Sequence, residues 1–214
     1  MNRKLGLTIF LLIFLLIFLL GVGDVLAEIS VGVREGDWIE YQVAYSGTPV
    51  EEHDVTWARM EIKDVEGKSI SVEFTAKHAN GTQEKYVTSL NLQTGQLGEA
   101  FIIPANLNAG DVFFDKNLGN ITISGVQERT YAGATRTVVQ AATSESTYYW
   151  DKATGFLVEG NSQFPDYTMN TIVDKTNIWQ PQPSGLDPTV FYALVIGAIV
   201  LIVAVLALIV RRKK

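Results

Sequence analysis

The chain has 214 residues, a formal net charge of −6 and no cysteine. The lack of cysteine excludes disulfides, thiolate nucleophiles, zinc sites with Cys ligands and lipidation at a cysteine. Between Glu28 and Pro188, eleven Lys and Arg stand against twenty-two Asp and Glu, a net charge of −11. Because such an acidic surface repels phosphate backbones, nucleic acid is not an expected partner.

Residues 1–27 have the pattern of a secretory signal peptide. Arg3 and Lys4 precede an apolar run, and Val25-Leu26-Ala27 offers small residues where signal peptidase requires them. An uncleaved anchor is the alternative, because the apolar run of sixteen residues is long for a signal and short for a membrane span. We predict cleavage after Ala27 and an extracytoplasmic domain over residues 28–179.

Residues 28–179 are predicted to form one all-β domain. Apolar and polar residues alternate over 39–45 and 70–77, which is typical of half-buried strands. Turn signals such as Asn80-Gly81 and Thr154-Gly155 recur at short intervals, so we predict an antiparallel meander sheet, either a half-barrel or a sandwich. The other predicted strands are 55–63, 84–92, 121–126, 135–142, 147–150, 156–160 and 167–179.

The domain carries a weak internal repeat. A shift of sixty residues places LNLQTGQLGE (90–99) on WDKATGFLVE (150–159), so that the Thr-Gly pairs coincide. Glu35-Gly36-Asp37 likewise has a counterpart in Ala109-Gly110-Asp111. We therefore predict two diverged repeats within one sheet, and a hairpin turn rather than a site between Asp151 and Gly155.

Few residues have the spacing of a catalytic or metal site. His53 and His78 are far apart in the sequence and are expected to be solvated, and Glu51, Glu52 and Asp54 lack the spacing of a calcium loop. The sequence contains no Gly-x-Ser-x-Gly motif and no phosphate-binding loop. We expect no metal, no cofactor and no catalytic activity. A hydrolase with paired carboxylates stays open, because their separation depends on the fold.

Aromatic residues are the main candidates for binding. They could line a face that holds an apolar ligand, although aromatic side chains in a sheet more often form the core and cross-strand pairs. The aromatic residues expected to face a ligand are Trp38, Tyr41, Trp57, Tyr148, Trp150 and Phe156. Two Asn-x-Thr sequons make Asn80 and Asn120 candidate N-glycosylation sites.

The C-terminal part has the pattern of a stalk and a membrane anchor. Residues 180–188, QPQPSGLDP, are rich in proline and predict a semi-extended stalk. We predict a transmembrane helix over residues 189–210, of which 190–210 are twenty-one uncharged and mostly apolar residues, long enough for a span of about 30 Å. Because RRKK follows at 211–214, the tail is expected in the cytoplasm and the domain outside a single-pass cell-membrane protein.

Three segments carry a resemblance to known proteins: GVREGDWIEYQV (32–43), FIIPANLNAGD (101–111) and YYWDKATGFLVE (148–159). They resemble uncharacterised archaeal envelope proteins that have a signal peptide, one β-rich ectodomain and a C-terminal anchor. The hairpin in the third segment is also distantly similar to bacterial lipoprotein-carrier proteins, whose half-barrel sheet holds acyl chains. We therefore expect a surface-anchored binding domain without catalytic activity, whose partner is an envelope protein, a glycan or a lipid. A lipid or lipoprotein carrier with an apolar cavity is the alternative.

Overall fold

The computed structural model describes residues 29–49 and 54–182, together with Tyr192 and Ile196. The described residues of 29–49 and 54–182 are all-β and antiparallel, which confirms the predicted fold class. The predicted signal peptide, residues 51–53 with His53, the end of the stalk, the basic tail and most of 189–210 lie outside the described residues. In the described part, no helix has the length and apolar character needed to cross a bilayer.

The described strands follow one another in two groups separated by a long irregular connection. The first group contains β1 (Trp38–Gly47), β2 (Val55–Glu66), β3 (Ser69–His78) and β4 (Gln83–Asn91). A short hairpin of β5 (Val112–Asp115) and β6 (Gly119–Thr122) comes next. The second group contains β7 (Gly125–Tyr131), β8 (Ala134–Ala142), β9 (Ser146–Asp151), β10 (Leu157–Gln163) and β11 (Tyr167–Thr176).

The two groups form one nine-stranded sheet in the order β4-β3-β2-β1-β11-β10-β9-β8-β7. Each group is a meander of sequential hairpins, and the first and last strands of the domain join them: Ile39 pairs with Thr176 and Tyr41 with Val173. Strands β4 and β7 are the edges of this sheet, while β5 and β6 pair only with each other among the described strands.

One face of the sheet, here called the inner face, carries the core. It presents Ile39, Met60, Val72 and Trp150, all of which are completely buried. Residues 92–107, here called the covering segment, and the β5–β6 hairpin pack on this face. Their buried apolar side chains join the same core as those of the sheet and include Leu97, Ile102, Ile103, Phe113 and Ile121. Each such side chain stabilises the fold by about 1.5–3 kcal/mol on burial.

The covering segment is held in place by two buried side chains. The Asp115 carboxylate, 1% exposed, accepts a hydrogen bond from Ala100 N at 3.0 Å. The Trp150 indole Nε1 donates to Ala100 O at 2.6 Å. Both polar groups of the Ala100 backbone are therefore satisfied inside the core, as buried backbone groups must be.

The first of the two repeat motifs makes the same backbone contacts in both copies. Gly36 N donates to Ile62 O at 2.9 Å, and Ile62 N donates to Asp37 O at 2.8 Å. In the second copy, Gly110 N donates to Ile123 O and Ile123 N donates to Asp111 O, both at 2.9 Å. The Gly-Asp pairs of the sequence therefore occupy matching places in the fold.

The Thr-Gly turns also correspond. The Asn91 Oδ1 accepts the backbone N–H of Thr94 at 3.0 Å, and the Asp151 Oδ1 accepts that of Thr154 at 2.9 Å. Gly95 and Gly155 follow with φ of 74° and 78°, in the left-handed region that favours glycine. The stretch from Asp151 to Gly155 is thus a hairpin turn, as its sequence predicts.

Asp151 also forms an ion pair in which its own carboxylate is buried. Its side chain is 1% exposed, and its Oδ2 accepts a hydrogen bond from Arg136 Nε at 2.8 Å. The Arg136 guanidinium lies 4.7 Å from the centre of the Trp179 ring. One carboxylate therefore links the turn, strand β8 and the end of the domain.

Candidate functional site

The inner face is not covered along its whole length, and a cleft of about 350 Å³ lies beside the covering segment. Strands β3 and β4 form one wall, the covering segment a second, and the turn between β5 and β6 a third. We call it the aromatic cleft. The lining residues that matter below are Phe74, Tyr86, Glu99, Phe101, Lys116 and Asn117.

Three aromatic rings form the floor of the aromatic cleft. Phe74 and Tyr86 are cross-strand neighbours, and their rings stack with centroids 5.4 Å apart and an interplanar angle of 17°. Phe101 meets Phe74 edge to face at 5.5 Å. Tyr86 remains 51% exposed, so one face of its ring is packed and the rest is open to the cleft.

Three polar side chains surround these rings without a partner of their own. Within the described part of the chain, the side chains of Glu99, Lys116 and Asn117 make no hydrogen bond or ion pair. Burial, together with the negative charges of Glu84 and Glu99, raises the pKa of Tyr86. The Tyr86 hydroxyl is therefore neutral at physiological pH and can both donate and accept a hydrogen bond.

Glu99 and Ala100 have an unusual backbone conformation. Both have φ of 61°, in the left-handed region that residues other than glycine seldom adopt. Such a residue costs of order 1–3 kcal/mol and persists only where its surroundings impose it. Here Asp115 and Trp150 hold the Ala100 backbone from both sides, so the Glu99 side chain is presented at the cleft by a rigid, strained segment.

A second, smaller cleft of about 80 Å³ lies on the other side of Phe101. It is lined by Tyr148, Leu157 and Met169, and it shares Glu99 and Phe101 with the aromatic cleft. The ring of Phe101 also contacts Tyr41 edge to face at 6.3 Å. Phe101 therefore stands as a partition between the two clefts.

A groove of about 390 Å³ lies where β9, β10 and β11 meet, and several of its polar groups are engaged with one another. The Ser146 and Ser162 hydroxyls are hydrogen-bonded at 2.8 Å, and the Asn170 amide donates to Asn161 at 2.5 Å. These groups would have to break existing hydrogen bonds to bind a ligand. The aromatic cleft is the better candidate because it combines unpartnered polar side chains with aromatic rings, whereas none of the described residues that line the groove is aromatic.

The structure distributes the six predicted aromatic residues over three environments. Tyr148 lines the small cleft and stacks on Trp150 at 5.4 Å. Tyr41, Trp150 and Phe156 are 1%, 0% and 0% exposed, which is the environment of core residues. Trp38 and Trp57 are half-buried on the outer face, where the Arg59 guanidinium lies 4.2 Å from the centre of the Trp38 ring.

Both sequons lie at the surface. Asn80 is exposed in the turn between β3 and β4, and its Oδ1 accepts hydrogen bonds from the backbone N–H and the hydroxyl of Thr82. Asn120 and Thr122 are exposed on β6, on either side of the buried Ile121. Glycosylation at Asn80 and Asn120 stays a prediction.

His78 ends β3 between two carboxylates and is 18% exposed, less than the sequence suggests. Its Nδ1 is 2.5 Å from Asp54 Oδ1, and its Nε2 is 3.6 Å from Glu84 Oε1. Because each ring nitrogen faces a different carboxylate, the three groups do not converge on one point. Among the described residues no group of three His, Asp or Glu side chains could hold a metal ion.

We expect His78 to titrate above its ordinary value. The hydrogen bond to Asp54 raises the pKa of His78 above 6.5, and the negative charges of Asp54 and Glu84 add to this. The folded state thus favours the protonated form, so its contribution to stability is complete below the unfolded pKa and is lost as pH rises through the folded pKa. An NMR titration checks this, with His78→Gln assigning the signal. Asp54→Asn should bring the midpoint back toward 6.5, and a wild-type midpoint at or below 6.5 would contradict the expectation.

No protein-family model matches the sequence. No curated protein matches it either. Among solved structures, one match is the siderocalin Ex-FABP, described as functioning through dual ligand specificities. The alignment covers 74% of this chain and 80% of that chain, at 13% identity and a TM-score of 0.25. A likeness at this level carries no inference about what this chain binds.

Proposed function

We propose that the described domain is a binding domain without catalytic activity, and that its site is the aromatic cleft. The observation that carries this proposal is the combination of an open aromatic ring with three polar side chains that have no partner in the described protein. Small-ligand sites characteristically combine an apolar surface with a few convergent polar groups.

Binding fits the cleft better than hydrolysis does. Hydrolysis by paired carboxylates needs two acidic side chains on opposite sides of the bond that is cleaved. Glu99 is the acidic side chain among the lining residues of the aromatic cleft. A single carboxylate can bind a ligand by accepting hydrogen bonds, but it does not supply both roles of a carboxylate pair.

The sequence supplies the cellular setting of this proposal. The signal-peptide pattern of residues 1–27 and the apolar block of 190–210 followed by RRKK support a domain outside the cell, tethered by a C-terminal anchor. Residues 180–182 begin the predicted stalk, and Gln182 N donates to Gly133 O at 2.8 Å, at the turn between β7 and β8. The binding site would then be presented at the cell surface.

The repeat motifs support a half-barrel formed from two diverged copies. The turns of the two copies are closed by different segments: a Cβ at Gly95 would lie 2.7 Å from Phe114 O of β5, and one at Gly155 would lie 2.0 Å from Ile103 O of the covering segment. Gly95 also lines the aromatic cleft, whereas Gly155 does not. In this scheme one copy provides the site and the other anchors the covering segment.

A matched pair of substitutions on β4 tests the proposed site. Thr88 lines the cleft, and Val87 faces the opposite side of the same strand and is 61% exposed. Thr88→Trp should fill the cleft and abolish binding of compounds found by ligand-observed NMR screening, while Val87→Trp should leave binding unchanged. The screening library contains saccharides, amino acids, nucleosides and short-chain lipids. The proposal would be overturned if both variants bind a compound equally well, or if no compound in this library binds the wild-type protein.

A lipid carrier is the second candidate function. Phe101 lines both clefts, whereas the other two floor rings line only the aromatic cleft. Rotation of the Phe101 ring would join the two clefts into a longer trough along the inner face. Native mass spectrometry of the full-length chain, followed by organic extraction, decides between the two functions. A stoichiometric adduct of lipid mass that Phe101→Trp removes would favour the carrier, and a mass without adduct after exposure to host membranes would exclude it.

A further inference from the structure

We infer that the aromatic cleft recognises a saccharide unit of a glycan that carries little or no negative charge. This inference rests on the proposed function and names the ligand class for the same site. It is drawn from three properties of the cleft: the geometry of the Tyr86 ring, the hydrogen-bonding capacity of the polar rim, and the position of the cleft at an edge of the sheet.

The Tyr86 ring provides a flat, oriented platform. Phe74 stacks against one of its faces at 5.4 Å and 17°, which fixes the plane of the ring before a ligand arrives. A pyranose ring presents a flat patch of C–H groups on one face, and such a patch packs on the electron-rich face of an aromatic ring. Since the platform is already ordered, little conformational entropy is lost when a sugar stacks on it.

The polar rim matches the chemistry of vicinal hydroxyl groups. Each sugar hydroxyl is both a donor and an acceptor, so a sugar ring needs both kinds of partner around its edge. Glu99 accepts, Lys116 donates and Asn117 does both, and none of these three side chains is engaged within the described protein. An acyl chain at the same place would remove these groups from water without replacing their hydrogen bonds, which is unfavourable.

The position of the cleft, its volume and the charge of the domain restrict the class of ligand further. Strand β4 is an edge of the nine-stranded sheet, so a saccharide bound on Tyr86 can continue past the protein as a longer chain. A volume of about 350 Å³ lies near the lower end of the range for small-ligand sites, about 300–1,000 Å³. The net charge of −11 between Glu28 and Pro188 disfavours strongly anionic glycans.

Saturation-transfer NMR on the full-length chain, prepared without sugar-based detergents, tests the inference. The probes are maltose, cellobiose, diacetylchitobiose and mannobiose. At least one should receive saturation at its C–H protons in the wild-type protein. Tyr86→Ala should weaken that binding by about tenfold or more, and Tyr86→Phe should retain most of it because the ring remains. Val87→Ala is the control, since Val87 lies on β4 outside the cleft.

The outcomes separate the ligand class from the proposed site. If no disaccharide binds, but other compounds bind the wild type and are lost in Thr88→Trp, the saccharide inference fails and the binding site stands. If nothing binds in a Thr88→Trp-sensitive manner, both fail. Binding of a disaccharide that Tyr86→Ala leaves unchanged would also overturn the inference, because the platform would then play no part.

Discussion

Replacing Asp151 with alanine is expected to lower the free energy of unfolding by about 3–5 kcal/mol, because it removes a buried carboxylate from an ion pair and leaves Arg136 without its partner. The substitution also removes the acceptor that holds the N–H and hydroxyl of Thr154 at 2.9 and 2.8 Å. A chemical denaturation curve followed by circular dichroism measures the change. A domain of this size should lose about 10 °C or more in melting temperature.

Two further variants isolate the causes of this loss. Asp151→Asn keeps the side-chain oxygen that accepts the hydrogen bond from Thr154 N but removes the negative charge. The corresponding turn already has an asparagine, Asn91, whose oxygen accepts the hydrogen bond from Thr94 N. Asp151→Asn should cost about 1–3 kcal/mol. Asp166→Ala, at an exposed turn, should stay within about 0.5 kcal/mol of wild type. If Asp151→Ala also stays within that margin, the turn is not the structural link described above.

Trp150→Ala is expected to destabilise the domain by about 3–5 kcal/mol, because it leaves a large cavity in the core. The ring is fully buried, meets Phe113 at 5.6 Å and Tyr148 at 5.4 Å, and its N–H holds Ala100 O. Trp150→Ala should therefore destabilise the covering segment as well as the sheet. Denaturation followed by circular dichroism gives the free energy, and hydrogen exchange of Ile102 and Ile103 reports the local loosening.

The matched control is Trp57→Ala, which removes the same side chain from a half-buried position on the outer face. It should lower the free energy of unfolding clearly less than Trp150→Ala does, and it should leave hydrogen exchange in the covering segment unchanged. Trp150→Phe keeps an aromatic ring but loses the hydrogen bond to Ala100 and part of the buried ring volume, so we expect about 1–3 kcal/mol. A Trp150→Ala protein as stable as Trp57→Ala would show that Trp150 does not hold the covering segment.

The strands were predictable wherever one face is solvated and the other buried. Alternation over 70–77 lies within β3, and the strand predicted over 135–142 matches β8 (Ala134–Ala142). The strand predicted over 121–126 is divided in the structure between β6 and β7, which pair with different strands, β5 and β8. Strand β5 escaped prediction since its four residues are too few to establish a period.

The candidate site was not predictable, because its residues come from parts of the chain that no local pattern connects. The covering segment buries Leu97, Ala100, Ile102 and Ile103 at no constant period, so it resembles a loop in sequence. Its path depends on Asp115 and Trp150, which lie beyond its own ends. Glu99 reaches the cleft only through that path.

The aromatic residues illustrate the same limit. Alternation correctly separates Tyr149 from its neighbours: Arg129 lies 4.2 Å above the Tyr149 ring, while Tyr148 and Trp150 stack on the other side. Which of the two faces is buried depends on the pairing of β1 with β11, residues that are far apart in the chain. The candidates named from the sequence therefore include Trp150, which is buried, and leave out Tyr86, which is 51% exposed.

The pairing of the first strand with the last also determines how the domain responds to mechanical load. Trp38 at the start of β1 and Asn177 just after β11 are joined by a hydrogen bond of 2.8 Å, so both chain ends leave the sheet at the same corner. A force that pulls these ends apart first has to detach residues 178–182, which are held at Tyr131 O and Gly133 O. It then meets the β1–β11 hydrogen bonds one after another rather than all together in shear. The domain would therefore separate between its two meanders only after its C-terminal segment has been released from the β7–β8 turn.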